Sequence, residues 1–269
     1  MREGISARHS GESRNPGFQP FSKSKFKDWI PAFAGMTMLL LFVWPSHSSE
    51  LTITSVTLPA PSPQLYLSSV STHTLRGRLI VIDPGHGVIN YDGAIINPGK
   101  ISNSGLMEHK LNMEIAQRLG KRLEKEGAKV IFTRTPSDYW RESYGTIEDN
   151  KNRSAFANEL KADVFLAIHC DWDPRKRVHG ITTIYAKPES RRLGELVHRS
   201  LLKGLHARDH KLVLDTYTVL DNINVPGLIV ECGFLSHREE SRKLIKPTYQ
   251  TQIADAITKA LKSYFETGS

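Results

Sequence analysis

The sequence is poor in cysteine. Its 269 residues contain only Cys170 and Cys232, and no CxxC pair occurs. Two cysteines are too few for the disulfide framework of a small secreted domain. The core must therefore be held together by the packing of apolar side chains, although these make up only 39% of the chain.

Runs of Lys and Arg with interleaved aromatic residues are missing as well. The net charge is +8, and after the N-terminal stretch the positive charge is spread rather than clustered. This distribution argues against nucleic acid as a partner. It suits an acidic polymer or an anionic surface, and a solvated basic face explains it equally well.

Residues 1–49 follow the order of a secretory signal. Lysines precede a short apolar run at 38–44, and small residues follow at 46–48. We predict that this segment exports the chain to the periplasm or out of the cell, and that no stable membrane span remains after processing. Two alternatives stay open. The segment could be an uncleaved anchor, or translation could start at Met36 or Met38, which would remove the basic region.

Residues 50–77 are rich in Ser, Thr and Pro and are predicted to form a linker. From residue 78 to 269, short apolar runs alternate with segments of helical periodicity. The predicted strands are 79–83, 129–133, 163–169, 181–186, 217–220 and 227–232, and the predicted helices are 108–126, 147–160, 189–205 and 249–265. Strands that alternate with helices indicate an α/β fold, a single domain with a mainly parallel central sheet flanked by helices.

Four polar residues stand at the ends of these segments. His86 follows the first strand, Glu108 begins the first long helix, His169 ends the third strand and Glu231 lies in the last strand. Because sites in such sheets form beyond the carboxyl ends of the strands, we expect the four to converge. Two histidines and a carboxylate are typical of catalytic zinc, which lowers the pKa of a bound water to about 7. A further carboxylate could accept the proton.

Spacing alone leaves this assignment weak, because no HExxH motif occurs and each residue taken singly could be structural. Residues 78–266, however, carry a longer series of motifs. In order, these are Ile82-Asp-Pro-Gly-His-Gly87, Asp92-Gly-Ala94, Gly105-Leu-Met-Glu-His-Lys-Leu-Asn112, Phe132-Thr-Arg-Thr135, Asp138, Arg153, Asn158, Ala162-Asp163, Ala167-Ile-His169, Tyr217-Thr-Val-Leu220 and Pro226-Gly-Leu-Ile-Val-Glu-Cys-Gly-Phe-Leu-Ser236. Taken together, the series resembles that of the zinc-dependent N-acetylmuramoyl-L-alanine amidases of the amidase 3 family.

The resemblance implies that His86, Glu108 and His169 hold one Zn²⁺ per chain and that Glu231 is the catalytic glutamate. It also implies a peptidoglycan hydrolase that cuts the amide between the lactyl group of N-acetylmuramic acid and L-alanine. Peptidoglycan is then the expected partner, a protein activator is also considered, and the chain is expected to be a monomer. The alternatives are another exported zinc peptidase or deacylase, and a wall-binding relative without catalysis.

The sequence departs from the family's pattern around the expected ligands, at Val88, Cys170, Asp171 and His237. Five other histidines are not expected to bind the metal, and two of them, on the third predicted helix, could be ordinary surface residues: His109, His179, His198, His206 and His210.

Several other polar residues have two interpretations each. Asp83 could orient the loop that carries His86 or only cap a turn, and Asp171 and Asp173 could line the cleft. Arg134 is expected to form a structural ion pair rather than to grip a substrate carboxylate. The two cysteines should point to the sheet face opposite the site residues, where they are either buried thiols or, if their strands are neighbours, a disulfide.

Overall fold

The computed structural model describes residues 74–89, 94–102, 104–134 and 146–267, all within one compact unit, Leu65–Ser269. The predicted export segment and most of the linker lie outside these residues. The strands are β1 (Leu79–Pro84), β2 (Val88–Ile89), β3 (Ile95–Asn97), β4 (Lys129–Phe132), β5 (Val164–Asp171), β6 (Ile181–Tyr185), β7 (Asp209–Leu214) and β8 (Gly227–Phe234). The helices are α1 (Glu108–Lys125), α2 (Thr146–Glu159), α3 (Arg191–Leu205), α4 (Thr218–Asp221), α5 (Arg238–Leu244) and α6 (Pro247–Glu266).

Six of the strands form one sheet in the order β4-β1-β5-β8-β6-β7. The pairs β1–β4, β1–β5, β5–β8 and β6–β7 are parallel, and β6 runs antiparallel to β8. The predicted α/β domain with a mainly parallel sheet flanked by helices is therefore confirmed. The reversal at β6 was not predicted.

Helices cover the two faces of this sheet unequally. One face, called the packed face below, lies against α1, α3, α5 and α6, and its core includes Ile82, Ile168 and Val230. The opposite face, called the site face, packs against α2 and α4 through a smaller core that includes Phe165 and Ile229. Because side chains alternate along a strand, the same two central strands supply both cores.

The apolar periodicity of α1 explains its position. Leu111, Ile115, Leu119 and Leu123 recur every fourth residue and are buried against the packed face. Glu108 opens the helix, where a carboxylate is favoured by the helix dipole. The helix therefore holds its first residue at the carboxyl edge of the sheet while its apolar side anchors it.

One secondary-structure prediction is wrong. Residues 217–220 were predicted as a strand, but α4 occupies this region, and the Tyr217 carbonyl accepts hydrogen bonds from the amides of Leu220 and Asp221. Val219 and Leu220 are both buried, and so short an apolar run does not distinguish a strand from a helical turn.

Two further elements were missed because they carry little apolar pattern. The strand β7 is largely exposed at the sheet edge. The short helix α5 is mostly charged and begins at His237, whose Nδ1 accepts a hydrogen bond from the Glu240 amide. Within the described part of the chain, none of the helices has the length and apolar character that a membrane crossing requires.

Candidate metal centre

Three side chains from separate parts of the chain meet at the carboxyl edge of the sheet. His86 Nε2 and His169 Nδ1 each lie 3.1 Å from Oε1 of Glu108. The two imidazole rings meet edge to face with centroids 4.8 Å apart. All three donor atoms lie within 4.8 Å of one another, so the cluster could hold one metal ion. The predicted convergence of these three residues is thus present in the fold.

The loop after β1 presents His86 in an unusual backbone conformation. His86 and Gly87 have φ values of 62° and 77°, a left-handed region that side chains other than Gly rarely adopt. The Arg153 guanidinium donates to the His86 carbonyl over 3.1 Å, and the Gly87 amide donates to the Asn97 carbonyl over 2.7 Å. These bonds hold the turn and stabilise a strained residue at the site.

A buried ion network lies beneath this loop. Arg153 Nη1 is 2.6 Å from Asp83 and its Nε is 2.9 Å from Asp149, and all three side chains are almost fully buried. Thr133 also donates to Asp83. Burial alone would raise the pKa of Asp83, but Arg153 and Thr133 outweigh it and lower that pKa. Asp83 therefore acts on the His86 loop through Arg153, which is more than the capping of a turn.

Hydrogen bonds fix the Glu108 carboxylate in place. The Lys100 amide donates to Oε2 over 2.8 Å, and the Cys170 amide and the Asn112 side chain approach Oε1 at 3.4 Å. Burial would raise the pKa of Glu108, but the two histidines outweigh it and the pKa falls far below its usual value. The group therefore remains an ionised carboxylate, the form that a metal requires.

The orientation of His86 leaves one ring nitrogen free to face the cluster. Its Nδ1 lies 2.9 Å from Oδ1 of Asn97, and this contact turns Nε2 toward Glu108. Burial by itself would lower the pKa of His86, but the hydrogen bond to Glu108 outweighs burial and raises it.

Two glycines let the backbone lie directly against the candidate ligands. A Cβ at Gly85 would overlap the His169 ring, and a Cβ at Gly99 would come within 2.6 Å of Oε2 of Glu108. These positions leave no room for a side chain. The backbone thus forms a close cradle around a His–Glu–His donor set, which has the composition of a zinc site.

Glu231 lies on β8 directly beside His169 on β5, because the two residues are register partners. Its Oε2 is buried and has no hydrogen-bond partner among the described residues. Burial and the neighbouring carboxylates of Asp171 and Glu108 raise the pKa of Glu231 well above its usual value. A nearby cation would favour the ionised form and relieve this cost.

The weaker candidates have structural partners. His109 is buried against the Pro98 carbonyl, His179 stacks on His237, and the exposed His206 follows the end of α3 in a left-handed conformation. His198 is buried rather than on the surface, since it contacts Thr183 and Asp209. None of these joins the His86 cluster.

Three other polar residues had two interpretations each. Arg134 is buried and donates to the carbonyls of Pro84, Gly85 and His109, so it holds the loop backbone and not a substrate. Asp171 is close enough to Glu231 for its charge to raise the pKa of that residue. Asp173 instead pairs with exposed Arg175, which lowers its pKa to about 2.

Sequence reasoning gave no role to Arg153, Asn97, Asn112 or the Lys100 amide. Asn112 could have been noticed, because a residue four positions after Glu108 lies on the same side of a helix. The contacts of Arg153 with Asp83 and with the His86 carbonyl could not, since they join residues about 70 positions apart.

An α/β sheet with a cluster of this composition at the carboxyl ends of its strands is typical of a class of hydrolases that bind a metal ion at that edge. A family model described as N-acetylmuramoyl-L-alanine amidase, Amidase_3, matches residues 80–263. The chain belongs to this family and is an amide hydrolase of bacterial peptidoglycan.

Relatives and solved structures agree with this assignment. The germination-specific N-acetylmuramoyl-L-alanine amidase of Bacillus subtilis is 30% identical over 201 residues, which covers 71% of this chain and 81% of that protein. The amidase LytC of the same organism is 29% identical over 193 residues, and this match covers 70% of the chain but only 36% of LytC.

Among solved structures, an N-acetylmuramoyl-L-alanine amidase from Clostridium difficile 630 has a TM-score of 0.62 at 29% identity and covers 71% of this chain and 98% of its own. The CwlD amidase from Clostridioides difficile, solved in complex with the GerS lipoprotein, has a TM-score of 0.63 at 28% identity and covers 71% of this chain and 99% of its own.

Proposed function

We propose that this chain cleaves the amide between the lactyl group of N-acetylmuramic acid and L-alanine with one zinc ion held by His86, Glu108 and His169, and with Glu231 as the catalytic base. The observation that carries the proposal is the meeting of three donor atoms within 4.8 Å, beside a carboxylate that is the register partner of His169.

The donor set fits zinc in type and in number. Two imidazoles and one carboxylate are a recurrent catalytic zinc set that leaves a coordination position free. When bound, zinc would polarise the amide carbonyl and make a water molecule nucleophilic at neutral pH. The chain's own contribution is to keep the Glu108 carboxylate ionised and the His86 ring turned by Asn97.

Glu231 is suited to move a proton in both directions. Its unpartnered Oε2 can take the proton of the attacking water and then give it to the nitrogen of the leaving L-alanine. A carboxyl group with a raised pKa is a better acid for the second step than an exposed glutamate. The alternatives, another exported zinc peptidase or deacylase and a wall-binding relative without catalysis, have no observation of their own in their favour.

We also propose that residues 1–49 direct export to the periplasm or the medium, that 50–77 link this segment to the catalytic domain 78–269, and that the enzyme acts as a monomer. Its substrate lies outside the cytoplasm, which supports export. A protein activator is proposed as well, because the CwlD neighbour was solved with a lipoprotein. N-terminal sequencing of the exported chain tests the first point.

The test of function is digestion of purified peptidoglycan, followed by mass spectrometry of the products. We expect free lactyl carboxyl groups and new L-alanine N-termini, loss of both products in chelator, and recovery when zinc is added back. Cleavage at any other bond contradicts the proposed substrate. Full activity in the presence of chelator contradicts the proposed metal.

A further inference from the structure

A row of polar side chains crosses the sheet from the candidate metal centre to its edge. His169 on β5 is the register partner of Glu231 on β8, Glu231 pairs with Thr182 on β6, and Thr182 pairs with Lys211 on β7. Register partners point to the same side of a sheet. The four side chains therefore lie along the site face in one line.

A shift in register places Lys211 in this line. The pairing of β6 with β7 shifts between Ile181, which faces Asp209, and Thr182, which faces Lys211, so that His210 is an extra residue. Asp209 contacts His198 of α3 on the packed face, whereas Lys211 follows Thr182 onto the site face.

Lys211 is exposed and makes no side-chain hydrogen bond or ion pair with any described residue. Its charge acts to lower the pKa of Asp171 and of Glu231, against the larger effect of burial. The hydroxyl of Thr182 is already hydrogen-bonded to His210, 3.0 Å away. Lys211 is thus an exposed cation at the end of this row, without a direct partner in the part of the chain that the structure describes.

The distance from Glu231 to Lys211 is compatible with the length of two residues of an extended peptide. Two strand spacings put their Cα atoms about 10 Å apart, and the lysine side chain can reach back over part of that gap. The second residue of an extended peptide lies about 7 Å beyond the scissile nitrogen. In peptidoglycan that second residue is D-glutamate, whose α-carboxylate is free unless it is amidated.

The substrate has two halves, the glycan and the stem peptide. Their chemistry decides which half lies beside Lys211. The lactyl carboxyl of the glycan is consumed in the scissile amide, so the sugar chain offers no carboxylate to a lysine at this point. The stem peptide does offer carboxylates. A lysine ammonium binds a carboxylate as a compact charge with rotatable donors.

We propose that Lys211 is a specificity-determining residue that binds the α-carboxylate of the second stem residue, so that the peptide extends toward the β7 edge of the sheet and the glycan extends to the other side of the candidate metal centre. This inference rests on the proposed function and adds the direction in which the substrate lies.

The experiment compares two muropeptides that differ only in that carboxylate, free in one and amidated in the other. Rates are measured with the full wild-type chain, with Lys211→Met, with Lys211→Arg, and with Lys203→Met. Lys203 is an exposed lysine of α3, the helix on the packed face, and its replacement controls for the change in net charge.

We expect the wild type and Lys203→Met to prefer the free carboxylate, and Lys211→Met to lose about tenfold in kcat/KM on that substrate, mainly through KM. Its rate on the amidated substrate should stay within twofold, and Lys211→Arg should restore the preference. An active wild type that does not discriminate overturns this inference alone.

Equal losses on both substrates, with a shifted pH profile of kcat, would mean that Lys211 acts through Glu231, and would also overturn the inference. A wild type inactive on both muropeptides overturns the proposed function and this inference together.

Discussion

Consecutive residues of the two central strands serve opposite faces of the sheet. His169 and Glu231 point to the site face, and Cys170 and Cys232, each one position later, point to the packed face. The cysteines are at most 1% exposed and remain free thiols, and burial raises the pKa of both. The side chain of His169 is 19% exposed, and Glu231 retains an unpartnered oxygen.

The difference shows how one pair of strands meets two unlike demands. The packed face needs volume and no charge, so a small apolar thiol suits it. The site face needs ionisable groups that water and substrate can reach. Burial of the Glu231 carboxylate on this face costs free energy, because it removes a charged group from water. Because side chains alternate, a residue on one face can change without direct contact with the other. Three substitutions test this separation.

The largest effect is expected at Glu231. The change Glu231→Gln keeps the volume but removes the proton acceptor, and activity on peptidoglycan should fall about a thousandfold. Bound zinc, measured by elemental analysis of the purified protein, should be unchanged, because Glu231 is not in the His86 cluster. Near-normal turnover in this variant would remove Glu231 from the proposed mechanism.

Arg153 should give the next effect, on stability. Arg153→Met leaves Asp83 and Asp149 buried without their partner, and we expect a loss of about 3–5 kcal/mol in the free energy of unfolding, measured with urea. The matched control is Arg175→Met, which breaks an exposed pair with Asp173 and should leave the free energy of unfolding almost unchanged. Similar costs for the two variants would refute a structural role for the buried network.

Cys170 and Cys232 should show the smallest effect. Replacement of either by Ala removes one buried sulfur and should cost about 1 kcal/mol in unfolding free energy, with activity within twofold of wild type. A large loss of activity with normal stability would contradict the separation of the two faces, because it would show that a residue of the packed face affects catalysis.

The sequence predicted the parts of the fold that carry strong patterns. The strands β1, β5 and β8 are short apolar runs that end in polar residues, and α1 has a regular apolar stripe, so their positions were correct to within a few residues. The strand β7 and the helix α5 carry little such pattern and were missed. The strand predicted at 217–220 was wrong because two adjacent apolar residues fit either structure.

The candidate site divides in the same way. His86, Glu108, His169 and Glu231 could be named from strand ends and from motifs. The support that Arg153 gives to the His86 loop could not, because this side chain donates to carbonyl oxygens far away in sequence. The position of Lys211 depends on the antiparallel pairing of β6 and on a one-residue shift in β7. Neither feature leaves a periodic signal in the sequence.

The reversed strand β6 has a consequence for how such an enzyme can diversify. Because β6 runs antiparallel to β5 and β8, residues 172–180 leave β5 and enter β6 at the same edge of the sheet, the edge that carries the candidate metal centre. A loop of this kind can lengthen, shorten or be exchanged between lineages without displacing a strand. Changes in this loop, made by evolution or by a protein engineer, can therefore alter which cell-wall substrates bind while the residues of the hydrolytic centre stay the same.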